Sequence, residues 1–124
     1  MEGSPVSVPL YQAKAEFFKT LGHPARIRIL ELLSERDHAV HELLEQIEIE
    51  PSNLSQQLAV LRRASLVTST RGGGEVVYSV SVPEVRDLLL AARAILSGII
   101  IVRGELESEL TGTATGSLTG ASTS

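Results

Sequence analysis

Three consecutive glycines, Gly72-Gly73-Gly74, constrain this chain more than any other feature. Leu66-Val67-Thr68-Ser69-Thr70-Arg71 lies on one side of them and Glu75-Val76-Val77-Tyr78-Ser79-Val80 on the other. Both flanks favour the β conformation, and glycine accepts positive φ at no steric cost, so the segment predicts a two-stranded hairpin. Pro51 opens a helix to about Ala64, with Leu54, Leu58 and Leu61 as its buried ridge. A shorter helix stands before it, about Val40 to Gln46, turning Val40, Leu43, Leu44 and Ile47 inward, and Glu48-Ile49-Glu50 separates the two. Two helices joined by a short turn outline a helix-turn-helix, and a hairpin directly after the second helix is a wing.

The rest of the chain reads as helices around this unit. Leu10, Ala13, Phe17, Phe18 and Leu21 fall at helical spacing, Gly22 stops that helix, and Pro24 starts another. From Ala25 to Leu33 the set Ile27, Ile29, Leu30, Leu32 and Leu33 is dense enough for burial on more than one side. Pro83 opens a long helix from Glu84 to about Leu110. The expected fold is mainly α with a small β wing: about five helices and a two-stranded hairpin, in one domain over residues 10–110. Residues 1–9, with Pro5 and Pro9, read as a flexible arm. Residues 111–124 are Gly, Ser, Thr and Ala with one Leu and no charge, and read as a disordered tail.

With 124 residues, 43% of them hydrophobic, the chain suffices for one compact domain with a modest core. Leu88, Leu89, Leu96, Ile99 and Ile100 exceed what one amphipathic face of such a domain needs, which predicts a second copy covering the last helix. The stretch Leu88–Val102 has 15 residues and is interrupted by Arg93, too short and too flawed to span a bilayer. MEGSPVSVPLYQ has no secretory pattern, so the expected compartment is the cytoplasm, with no membrane partner. No cysteine is present, which excludes disulfides, thiolate zinc sites and iron–sulfur clusters.

Charge is unevenly placed. The net charge is −4, so any attraction to nucleic acid must be local. Residues 31–50 hold seven acids against Arg36, whereas residues 51–74 hold Arg62, Arg63 and Arg71 and no acid. The acid-free segment coincides with the second helix of the helix-turn-helix and the wing, where phosphate contacts would be needed. On that helix Ser52, Asn53, Ser55, Gln56 and Gln57 are read as one exposed face of short or amide side chains able to reach base edges or phosphates. Against this, three arginines are also ordinary solvated surface, and Ser52 and Asn53 also assist a helix start.

Phe18-Lys19-Thr20-Leu21-Gly22-His23-Pro24-Ala25-Arg26-Ile27-Arg28-Ile29-Leu30 resembles the opening signature of the ArsR/SmtB family of bacterial regulators. Asn53 to Arg62 resembles that family's recognition helix, and Leu66-Val67 through Val77-Tyr78-Ser79-Val80 its wing. The resemblance covers roughly residues 12–103. It implies a homodimeric winged helix-turn-helix, paired through its first and last helices, that binds palindromic double-stranded operator DNA and acts as a repressor. Gln57 stands where the family often has His.

The resemblance leaves the effector open. Many members sense metals through a Cys-x-Cys pair, and the matching region here is His41-Glu42-Leu43-Leu44-Glu45. Others use Asp and His on the last helix, which here has Glu84, Asp87, Glu105, Glu107 and Glu109 but no His. His23 lies in a Gly-His-Pro turn and is expected to cap or pack. His38 and His41, three residues apart, with Glu42 or Asp37 adding oxygen, form a candidate set for nickel, cobalt or zinc; two ordinary histidines at a solvated helix start is the competing reading. No cofactor is required for the fold. No nucleophile–base pair, phosphate-binding glycine loop or metalloprotease helix is present, so no enzymatic activity is expected. The alternative function is a protein-interaction module that keeps the winged-helix fold without binding DNA.

Overall fold

The computed structural model describes residues 8–111, with side chains to residue 106. Residues 1–7 of the expected arm and 112–124 of the expected tail lie outside the described residues. Two compact units are present, one ending at Pro83 and the other beginning at Glu84.

The first unit opens with α1 (Leu10–Leu21) and α2 (Pro24–Glu35). Between them the His23 imidazole does what the Gly-His-Pro turn predicts: its Nδ1 accepts from the Ala25 amide at 3.1 Å and caps α2, while Pro24 occupies a first-turn position that needs no donor. A short strand, β1 (His38–Ala39), leads into α3 (Val40–Gln46), and α4 (Pro51–Arg63) follows after a short turn. β2 (Val67–Gly72) and β3 (Glu75–Val80) form the hairpin.

The hairpin's two loop residues, Gly73 (φ 61°) and Gly74 (φ 85°), both have the positive φ that a type I′ turn requires. That turn fixes the register, with Gly72 opposite Glu75 and Val67 opposite Val80. The wing is the expected two-stranded hairpin, and a third strand that was not expected joins it: the sheet has the antiparallel order β1-β3-β2, with His38 opposite Tyr78 and Ala39 opposite Val77. A two-residue strand has no periodicity to read. It exists because the outer edge of β3 offers unpaired backbone groups.

The core is a helix-on-helix layer sealed by the sheet. Ile29 and Leu30 of α2, Leu43 of α3, and Leu54, Leu58 and Leu61 of α4 are its largest fully buried side chains. α4 ends in a Schellman arrangement: the Leu66 amide donates to the Leu61 carbonyl at 3.0 Å and Ser65 takes the left-handed φ of 65°. The Ser81 hydroxyl donates to the Ser65 carbonyl at 2.8 Å and the Ser81 amide to the Leu66 carbonyl at 2.9 Å, so the far end of β3 is fastened to the end of α4.

α1 buries only Leu21 and leaves Leu10, Tyr11 and Phe18 exposed. The second unit is the single long helix α5 (Glu84–Thr111). Leu88 and Leu89 are half-buried, while Leu96, Ile99 and Ile100 are exposed, as are Leu90, Ile95, Ile101 and Val102. Apolar side chains therefore emerge around much of its circumference, the surplus expected from the sequence. No helix among the described residues is long and apolar enough to cross a membrane.

Candidate nucleic-acid interface

α3 and α4 form the helix-turn-helix, and the physical chemistry of α4 decides which side chains face out. Leu54, Leu58 and Leu61 are buried, which turns Ser52, Ser55, Gln56 and Arg63 outward; Ser52, Gln56 and Arg63 follow one another at spacings of four and seven. Short polar groups on such a face have the size and the mixed donor and acceptor character that base edges demand. Arg62 and Arg63 are exposed in the last turn, where a cation is favourable beside the helix C-terminus as well as beside phosphate. Arg62 shares an open groove with Ser65, Val67, Thr68, Ser69 and Ser81. Arg71, exposed on β2 opposite Val76, extends the same acid-free chain segment onto the wing.

Two of the five polar candidates on α4 are placed differently from the sequence reading. Gln57 is not on the exposed face; only 8% of it is accessible. It lies three residues after Leu54 and four before Leu61, on the buried ridge itself, and that spacing was the available signal. Its Oε1 accepts from Arg26 Nε at 2.8 Å, and its Nε2 donates to Asn53 Oδ1 at 2.9 Å. Asn53 is accordingly half-buried and turned partly toward Gln57. Arg26, which sequence reasoning did not single out, also donates from Nη1 to the Thr20 carbonyl at 2.8 Å. A half-buried cation next to Ile27 and one turn before the buried Ile29 and Leu30 needs such partners.

The candidate metal ligands do not converge. His38 is buried in β1, with Nδ1 2.9 Å from the Arg36 carbonyl. His41 is exposed on α3 and meets Glu75 at 3.2 Å, linking α3 to the wing. Glu42 turns back to the start of α3, where Oε1 accepts from the Ala39 amide at 2.8 Å, and it pairs with Arg36 at 3.4 Å. Among the described residues no group of three His, Asp or Glu side chains is arranged to hold a metal ion. His38, His41 and Glu42 thus each have a separate partner in this structure: a strand holds the first, a wing contact the second and a helix cap the third.

Glu42 supplies the half of a capping box that a carboxylate at the third helical position can make. The Ala39 amide, and then the Arg36 guanidinium, hold its carboxyl below the usual value of 4.5. A depressed folded-state pKa means stability that is present above the unfolded value and lost as pH falls through the folded one. A carboxyl-resolved NMR titration should therefore show Glu42 titrating below the ordinary value of a glutamate. Glu42→Gln should remove that part of the acid dependence and loosen the start of α3 at neutral pH.

The model for bacterial regulatory proteins of the arsR family matches residues 23–69, the span from the α2 cap into β2. An uncharacterised HTH-type transcriptional regulator of Mycobacterium tuberculosis, Rv0081, is 57% identical over 95 residues, covering 76% of this chain and 83% of that protein. Its crystal structure superposes with a TM-score of 0.71 at 56% identity, over 78% of this chain and 98% of the other. The transcriptional repressor BigR from Xylella fastidiosa superposes with a TM-score of 0.65 at 34% identity, over 68% of this chain and 87% of that one.

Proposed function

The chain belongs to the arsR family of bacterial regulatory proteins, winged helix-turn-helix transcriptional regulators and not enzymes, and from that premise we propose that it acts as a homodimeric repressor on palindromic operator DNA. The observation that carries this function is the acid-free segment Pro51–Gly74, which exposes Ser52, Ser55 and Gln56 on one helix and Arg62, Arg63 and Arg71 at its end and on the wing. Two α4 helices, one from each copy, enter successive major grooves about one helical turn apart, and the wings touch flanking backbone. The second copy pairs through α1 and α5, whose exposed apolar residues, Leu96, Ile99 and Ile100 among them, gain by leaving water. Leu88 and Leu89 lie on the same helix and belong to that pairing. The partner is genomic DNA, so the working compartment is the cytoplasm.

A salt series with selected and scrambled duplexes tests this function. Gln56→Ala is expected to lower specific affinity by about 1–3 kcal/mol while sparing non-specific binding, because it removes a base contact. Arg63→Ala is expected to weaken all sequences alike and to flatten the salt dependence by about one unit, because a phosphate carries no sequence information. A wild-type chain that binds no duplex at low salt returns the fold to the interaction-module alternative.

A further inference from the structure

Beyond the exposed face of α4, and resting on its function in binding DNA, we propose that Arg26 and Gln57 are positioning residues that set the polarity of Asn53, so that Asn53 meets DNA as a hydrogen-bond donor. A carboxamide is nearly symmetric in shape, and packing alone does not choose which end carries the oxygen. Arg26 chooses. A guanidinium only donates, so the Gln57 end 2.8 Å from Arg26 Nε is the oxygen. The Gln57 NH2 must then face Asn53, and it donates to Asn53 Oδ1 at 2.9 Å. That turns Asn53 Oδ1 inward and leaves its NH2 as the outer end. Arg26 is itself held by the Thr20 carbonyl at the end of α1, at 2.8 Å, so the relay begins on a fixed backbone group.

The relay lies inside the first unit and ends in the first turn of α4, next to exposed Ser52. Among the described residues Asn53 makes one side-chain hydrogen bond, the one to Gln57, which its oxygen accepts. An outward NH2 suits a phosphate oxygen, or the acceptor atoms N7 and O6 of guanine and O4 of thymine. It does not suit bidentate reading of adenine, which needs the amide's oxygen as well.

The test uses the full chain, a duplex selected from a random pool by the wild-type protein, and a mixed-sequence duplex of equal length. Gln57→Glu keeps an acceptor for Arg26 but has no hydrogen to give Asn53, whose NH2 must then turn inward and present an oxygen to DNA. Affinity for the selected duplex should fall about tenfold, the worth of one good contact. Gln57→His restores one acceptor and one donor in a single neutral ring and should recover most of that loss. A purely structural role would order these variants by melting temperature, whereas polarity orders them by donor count. Asn53→Ala should cost a similar factor in the wild-type background and little in the Gln57→Glu background. Loss confined to the selected duplex identifies a base-edge acceptor, and equal loss on both duplexes a phosphate.

A Gln57→Glu protein that melts like wild type and binds as tightly overturns the relay. If that variant does not fold, Asn53→Ala decides, and unchanged binding overturns the donor role. A wild-type chain that binds neither duplex overturns DNA binding itself, a separate outcome from binding that ignores both substitutions.

Discussion

Ile99→Asp is expected to separate or unfold the dimer proposed above, a larger effect than that of any change on the exposed face of α4. Ile99 is exposed in the single chain, in the midst of exposed Leu96, Ile100, Ile101 and Val102 on α5. When a second copy covers that surface, an aspartate there becomes a buried charge without a partner, at a cost of about 3–5 kcal/mol. Sedimentation equilibrium at micromolar concentration checks it: wild type should run as a dimer and the variant as a monomer. A wild-type monomer under those conditions refutes the pairing. Since a palindromic operator needs two recognition helices held at a fixed distance, the variant should also lose specific DNA binding more completely than any single change on α4.

Leu54→Ala should produce the second large effect, through folding and not through contact. Leu54 is fully buried on the ridge of α4, and truncating a core leucine leaves a cavity costing about 2–5 kcal/mol. For a domain with roughly 5–15 kcal/mol of total stability that is a large share, and urea melting should show it directly. Gln56→Ala on the opposite face should leave the melt unchanged while weakening the proposed operator complex. If both variants lowered the melt equally, the inward and outward faces of α4 would be wrongly assigned.

The chain order of helices and hairpin was legible because local chemistry decides it. Pro24 and Pro51 suit the first turn of a helix, Gly73 and Gly74 accept the positive φ of a tight turn, and leucines at positions 54, 58 and 61 fall at the spacing of a helical ridge. Charge along the chain also reads locally, which is why the arginines at 62, 63 and 71 stood out beside seven acids upstream.

What the sequence could not determine by itself depends on partners distant in the chain. Gln57 and Gln56 are the same residue type, one position apart, yet one is buried against an arginine 31 residues away and the other faces solvent. His38, His41 and Glu42 fit a metal-ligand spacing in one dimension, but a strand edge, the wing carboxylate of Glu75 and the Ala39 amide draw them apart in three. β1 likewise exists only because β3 passes beside it. For Gln57 the deciding term is the cost of leaving a buried polar group unpaired, and only the tertiary structure supplies Arg26 to meet it; for the exposed His41 it is simply which carboxylate the fold brings within reach.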